Sequence, residues 1–288
     1  MKKYWQNFSH SIRFPRSKPN LKDAIPEVFH YINYGCPKFD FPKFLSMYSV
    51  YKYSSPNSLI VYHTDCDQFL LNTQKFFSRL KIIIGERLII QPIDKLTSIF
   101  NQELERVEHQ SDVYRLLILI KYGGVYVDND LVFLKPHDVF LNSTLPVVGR
   151  ESWKTVANGF IMTPPNSNFL LRILSYYGYE FNPDCWACSS TKLYYDIAVH
   201  YTDEVHIEYN TLCVPNWKDF KSVVNVKFSM DWSGFYNFHF STRDLKKLGY
   251  RIDQEISQFD CMRNTLGELV RYVLNDSPFV CGLNKLNE

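Results

Sequence analysis

The chain has 288 residues, 45% of them hydrophobic and 16% aromatic, enough apolar side chain to bury the core of a full α/β domain. With 32 Lys and Arg against 30 Asp and Glu, the formal net charge of +2 is too weak a field to argue for nucleic acid as a partner. The longest apolar run, Leu116–Ile120, is far short of the roughly 20 residues a bilayer span needs, and the basic, aromatic amino terminus has no apolar signal-type stretch, so no membrane anchor is visible.

In chain order, residues 1–24 are polar and basic, carry Pro15 and Pro19, and read as a poorly ordered leader; residues 25–288 read as one domain. From Ile25, short β-rich runs alternate with segments of helical period: Val28–Tyr34 then Phe41–Tyr53, Ser58–His63 then Asp67–Arg79, Leu80–Ile84 then Leu88–Ile93. That alternation predicts βαβ units and a mainly parallel sheet. Ser111 reads as the N-cap of a helix that is apolar almost all round, hence buried, and that closes at Gly123-Gly124. Val125-Tyr126-Val127 follows as a strand, and Asp128 and Asp130 stand where it leaves the sheet, outside the carboxyl end of a strand, where α/β proteins bind ligands. Further strands are expected at Pro146–Gly149 and Gly159–Met162, and helices at Ser167–Tyr177 and Thr191–Val199. A packing helix over Met262–Leu274 puts its apolar residues on one stripe.

Two carboxylates separated by one residue at a strand end share a face and present oxygens to one point, which suits Mg²⁺ or Mn²⁺ acting as a Lewis acid. Asp65-Cys66-Asp67 has the same spacing and reads as a solvated turn; Asp128 and Asp130 differ in following a buried helix, a Gly-Gly turn and an apolar strand. Asp112 and Arg115, three apart, share one helical face. Trp153, Trp186 and Trp217 could each stack on a sugar face, though burial is the simpler role for any one of them. The seven cysteines (Cys36, Cys66, Cys185, Cys188, Cys213, Cys261, Cys281) are too scattered for a zinc ribbon, and one or two disulfides or a reduced chain all fit an odd count. Sequons at Asn7, Asn142 and Asn275 suit a lumenal protein, and such triplets also arise by chance.

Ser111-Asp112-x-x-Arg115 followed by Lys121-Tyr122-Gly123-Gly124-Val125-Tyr126-Val127-Asp128-Asn129-Asp130 resembles the sugar-binding region of DXD glycosyltransferases. The match looks like the family-32 group of α-1,4-galactosyl-, α-1,4-N-acetylglucosaminyl- and mannosyltransferases, and is similar to the clostridial glucosylating toxins over the same stretch. Ile25-Pro26-Glu27-Val28-Phe29-His30 looks like the family's first strand, and Ala157-Asn158-Gly159-Phe160-Ile161 like its strand after the DXD. Asp231-Trp232 with Phe238-His239-Phe240 resembles its carboxyl-terminal site segment. The resemblance covers Ile25 to Arg243 and implies a GT-A fold: a single Rossmann-like, mainly parallel sheet flanked by helices, with the DXD at a strand end.

It also implies a retaining transferase that moves a hexose or N-acetylhexosamine from a nucleotide sugar, expected to be a UDP sugar, to a hydroxyl of a glycan or glycolipid. Such an enzyme depends on Mn²⁺ or Mg²⁺ and works in the Golgi lumen. Carried over, Asp128 and Asp130 face the metal and diphosphate, with Asp130 the direct ligand and catalytic; Asp231 is the other catalytic candidate. Asp112, Arg115, Asn129, Asn158 and Gly159 line the donor, and His239 either completes the metal shell or is an ordinary histidine. Tyr31 or Tyr34 would replace the tryptophan that related enzymes carry after the first strand for stacking on the base. The alternative is a non-catalytic relative that keeps the fold and binds nucleotide or acts as an interaction module.

Overall fold

The structure, a computed structural model, describes residues 24–35, 37–65, 71–215, 220–225, 230–250, 259 and 262–276. The leader up to residue 23, Cys36, Cys66, Asp67, Trp217, Cys261 and Cys281 lie outside these residues.

Strand β1 (Val28–Asn33) alternates as a strand buried on both faces must: Phe29 and Tyr31 enter one core cluster, Ile32 the other. Asp40 caps helix α1 (Phe41–Ser54) by accepting from the Lys43 N–H, and the helix lays Phe44, Leu45, Met47 and Val50 on the first of these clusters. β2 (Ser58–His63), buried at every position, runs parallel to β1 in the register Val28↔Ser58 through Asn33↔His63. Helix α2 (Lys75–Ile84) then leads to β3 (Leu88–Pro92), parallel to β2. Leu80–Ile84, expected as a strand, therefore continues the helix, and the strand is the following run. Phe76, Phe77, Leu80 and Ile84 form its buried helical stripe, and a five-residue apolar run cannot be told from a strand by composition.

A hairpin of β4 (Ser98–Ile99) and β5 (Gln102–Glu103) leads into helix α3 (Val107–Tyr122), which starts four residues before the expected N-cap. Ser111 lies inside the helix, and Arg106 stands at its N-cap without a side-chain bond. Burial of α3 is as expected: Val113, Leu116, Ile118 and Leu119 are each 0% exposed, and each such burial contributes about 1.5–3 kcal/mol. The Gly-Gly turn that closes it is obligatory. Gly123 has φ +64° and Gly124 φ +100°, and a Cβ on Gly124 would come within 2.5 Å of Val28 O.

Next come β6 (Gly124–Val127), β7 (Leu131–Phe133) and α4 (Asp138–Leu141), then the hairpin β8 (Val147–Ser152) and β9 (Thr155–Thr163). Helices α5 (Asn168–Tyr176) and α6 (Thr191–His200) cover the second cluster, and β10 (His206–Glu208) pairs with β8. After α7 (Phe220–Val223), β11 (Asn237–His239) pairs antiparallel with β7, followed by α8 (Thr242–Lys247) and α9 (Thr265–Asn275). Cys185 and Cys188 form a disulfide and Cys213 is a buried free thiol. Among the described residues no helix is long and apolar enough to cross a membrane.

The seven-stranded sheet has the order β10-β8-β9-β6-β1-β2-β3, parallel except where β9 runs against β6 and β8. Strand order reverses between β1 and β6: β2 and β3 are added on one side of β1, β6 on the other. The carboxyl ends of strands at such a switch point form a crevice. Asp128, Asn129 and Asp130 follow β6 directly into it.

Candidate metal centre

The acidic turn is tied to four elements. Asn129 Nδ2 donates to Ile32 O at the end of β1 (2.8 Å), and the Asp128 N–H donates to Gly159 O of β9 (2.8 Å). Ser46 Oγ, on α1, donates to Leu131 O (2.6 Å), and the Phe240 N–H donates to Asp130 O (2.9 Å). Pairing of β11 with β7 sets His239 opposite Leu131, one residue beyond Asp130.

Asp130 uses its two oxygens differently. Oδ2 accepts from the Thr242 N–H (2.8 Å) and the Thr242 hydroxyl (3.0 Å), while Oδ1 lies 3.1 Å from His239 Nε2. Asp128 Oδ1 accepts from the Tyr126 hydroxyl (2.7 Å), and its Oδ2 faces Gly159, where a Cβ would stand 2.6 Å away. One donor atom from each of Asp128, Asp130 and His239 lies within 4.8 Å of the others. Two ligands on one cation at about 2.0–2.3 Å stand at most about 4.6 Å apart, so small side-chain shifts bring all three onto one ion. Two carboxylates and an imidazole are a donor set that a divalent cation accepts.

Electrostatics support that reading. Burial alone would raise Asp130 and lower His239, but their pairing overrules it. His239 and the Thr242 donors hold the Asp130 carboxyl well below the usual range, and Asp130, helped by Asp128 and Glu151, lifts His239 to about 9. The cation-free centre is therefore an imidazolium–carboxylate pair, and a cation competes with that proton for Nε2.

Beside it lies a buried polar network. Arg115 donates to Asn158 O (2.6 Å), pairs with Asp112 at 3.1 Å and lies 3.8 Å from Asp128, with its guanidinium 4.4 Å from the Tyr126 ring centre. Asn158 Nδ2 donates to Asp112 Oδ1 (2.9 Å). Burial pushes Asp112 up to about 6, with Arg115 opposing it, so the carboxyl is mainly ionised at neutral pH.

The structure thus brings Asp112, Arg115, Asp128, Asn129, Asp130, Asn158, Gly159 and His239 together. Others stand apart. Tyr31 is 0% exposed, its hydroxyl 3.1 Å from Ser46 Oγ, and Tyr34 is buried with its hydroxyl accepting from the Leu96 N–H, so neither offers an open ring face. Asp231 is exposed and accepts from the Ser233 N–H and hydroxyl (3.0 and 2.7 Å), in a turn docked through Trp232 against Tyr272; no hydrogen bond or ion pair joins it to the acidic turn. Sequence reasoning missed Ser46, Tyr126, Glu151 and Thr242. Tyr126 lay inside the quoted motif, and its alternation with Asp128 was the available signal.

Residues 46–146 match the model of the glycosyltransferase sugar-binding region containing the DXD motif. Glucan organizing enzyme 1 of Cryptococcus neoformans var. grubii serotype A is 30% identical over 119 residues, 38% of this chain and 32% of that protein. An uncharacterized Arabidopsis thaliana protein is 34% identical over 88 residues, 30% of this chain and 13% of that protein. The chain matches less than a third of the length of either relative. Among solved structures, the PaToxG glycosyltransferase is 17% identical with a TM-score of 0.45, over 86% of this chain and 87% of that one. The single mainly parallel sheet, with the acidic turn at a strand end, is the arrangement that the motif resemblance implied. Residues 46–146 are thus similar to the sugar-binding region of DXD glycosyltransferases, and Asp128 and Asp130 within that stretch gather with His239 as a centre able to hold a metal ion.

Proposed function

We propose that this protein is a retaining, metal-dependent glycosyltransferase that moves a hexose or N-acetylhexosamine from a UDP sugar to a hydroxyl of a glycan or glycolipid. The observation that carries the reading is the convergence of Asp128, Asp130 and His239 within 4.8 Å at the switch point of the sheet. Mn²⁺ is the favoured ion over Mg²⁺, since an imidazole stands among the donors. When bound, it would neutralise charge on the departing diphosphate.

The protein's own residues do the positioning. Thr242 fixes the Asp130 carboxyl so that Oδ1 points to the centre, and Tyr126 and Gly159 set the tilt of Asp128. Asp112, Arg115 and Asn158, already locked to one another, offer hydrogen bonds to sugar hydroxyls at low further ordering cost. Retention and the uridine preference are supported by the motif resemblance. An exposed sequon at Asn142 and the Cys185–Cys188 disulfide support a lumenal, Golgi-type compartment.

The test is hydrolysis and transfer from UDP-glucose, UDP-galactose and UDP-N-acetylglucosamine with Mn²⁺. Loss of at least a hundredfold in Asp130→Ala supports the proposal, and equal turnover in both proteins refutes it. The buried rings of Tyr31 and Tyr34, which leave the base without a stacking partner from the first strand, favour a second reading, a relative that acts as an interaction module without turnover. Absence of both UDP binding and donor hydrolysis would identify it.

A further inference from the structure

Two exposed tryptophans stand on loops a few residues from groups that act on the metal centre, and each has an arginine against its ring. Trp153, 75% exposed, sits between β8 and β9. Arg150 folds back against it: Nε donates to Ser152 O (2.9 Å), a terminal nitrogen donates to Trp153 O (3.3 Å), and the guanidinium lies 5.5 Å from the Trp153 ring and 5.3 Å from that of Tyr209. Trp186, 45% exposed, lies in the span closed by the Cys185–Cys188 disulfide, with the Arg243 guanidinium 4.8 Å from its ring.

Each loop has a sequence neighbour that acts on the centre. Arg243 directly follows Thr242, which holds Asp130 Oδ2 through two hydrogen bonds. On the other side of the same loop, His109, three residues before Asp112 on α3, packs edge-on against Phe181 at 5.2 Å. The Trp186 loop therefore bridges the first turns of α3 and the Thr242 segment. Trp153 is two residues beyond Glu151, whose negative charge helps to lift His239 and which itself feels the charge of Asp128. The two indoles thus stand on segments, far apart in sequence, whose neighbouring residues act on the centre.

An indole held in water by a guanidinium has its orientation set before any ligand arrives, which lowers the ordering cost of binding. A pyranose is the ligand that matches, because it offers an apolar C–H face to the ring and hydroxyls to the neighbouring donors. We infer that Trp153 and Trp186 form the acceptor subsite, stacking on sugar rings of a glycan whose attacking hydroxyl points towards the centre. This rests on the proposed transferase activity. The hydroxyl oxygen bonds to the anomeric carbon, the bond from that carbon to the diphosphate oxygen breaks with its electron pair leaving on the nucleoside diphosphate, and the hydroxyl proton passes to that oxygen.

The experiment compares wild type, Trp153→Ala, Trp186→Ala and the conservative Trp153→Phe and Trp186→Phe. Calorimetry with the methyl glycosides and disaccharides of glucose, galactose, mannose and N-acetylglucosamine, in the presence of UDP and Mn²⁺, reads acceptor binding. Hydrolysis of the donor to water reads the rest of the site. Each alanine variant is expected to weaken saccharide binding and raise acceptor KM about tenfold, the phenylalanine variants to restore most of it, and donor hydrolysis to stay at the wild-type rate. Unchanged saccharide binding in both alanine variants overturns the inference, as does a parallel loss of hydrolysis and binding, or no saccharide binding by a wild type that hydrolyses donor. A wild type that neither binds UDP nor hydrolyses donor fails the transferase reading itself, and this inference with it.

Discussion

Substituting Gly159 by alanine tests the metal centre with a single methyl group. The new Cβ would stand 2.6 Å from Asp128 Oδ2 and 3.1 Å from its Cγ, whereas ordinary contact begins near 3.4 Å, so the carboxylate must retreat by about 0.8 Å. Gly159 is not among the positive-φ residues, so the alanine backbone itself is unstrained. Asp128 cannot retreat without cost: its main-chain N–H is bonded to Gly159 O at 2.8 Å and its Oδ1 to the Tyr126 hydroxyl at 2.7 Å. Rotation of the side chain therefore gives up the Tyr126 bond, a loss of about 1 kcal/mol. Displacement of a ligand by close to an ångström costs on the order of a hundredfold in rate. Gly159→Ala is expected to lose about 1–2 kcal/mol of stability, to bind Mn²⁺ about tenfold more weakly and to turn over donor between ten- and a hundredfold more slowly. Urea denaturation, Mn²⁺ calorimetry and donor hydrolysis measure the three. A variant as folded as wild type with wild-type Mn²⁺ affinity and rate would refute the placement of Asp128 at the centre.

Gly124→Ala should be far costlier to fold, because φ +100° is forbidding to alanine and the new Cβ meets Val28 O at 2.5 Å; a loss of about 3 kcal/mol or more is expected, and an unchanged urea midpoint contradicts it. Arg115→Ala strands Asp112, whose side chain is 9% exposed, and should cost about 3–5 kcal/mol by denaturation. Arg115→Lys restores the charge without the planar fork that reaches Asn158 O and Asp112 together, so recovery should be partial; full recovery would show that geometry does not matter there. With His239 lifted from 6.5 to about 9, the imidazolium–Asp130 pair stabilises the metal-free protein fully below about pH 6.5, and that contribution is lost as pH rises through about 9. Asp130, held low, loses its share only as pH falls well below 3.8. Because a cation displaces the His239 proton, Mn²⁺ affinity should climb nearly tenfold per pH unit from pH 6.5 towards 9; a flat calorimetric profile excludes His239 as a ligand.

What sequence could reveal depended on how local each signal was. Asp128 and Asp130 stood out through consecutive cues: a buried helix, glycines for two positive-φ positions, then a β-branched strand. The second acidic pair lacked such a setting, and Asp65 ion-pairs with Lys95 on the surface. Ser46 and Thr242 were invisible because their bonds span 85 and 112 residues and both are ordinary polar residues in their own segments. Tyr31 was misleading for a recoverable reason: period-2 alternation along β1 puts it beside Phe29, facing the core. Ser111 resembled an N-cap, but Val107–Gln110 form a first turn without a capping side chain, and tertiary burial of His109 and Gln110 sustains it. The reversal of strand order between β1 and β6, which places the acidic turn in a crevice, is a property of pairing and not of any segment.

If Asp128, Asp130 and His239 hold the cation on which a nucleoside diphosphate binds, UDP affinity must follow the metal. Calorimetric titration of UDP into the protein with and without Mn²⁺, for wild type and Asp130→Ala, tests it most directly. UDP binding should require Mn²⁺ and weaken at least a hundredfold in the variant. UDP affinity equal without the metal, or equal in Asp130→Ala, would contradict it.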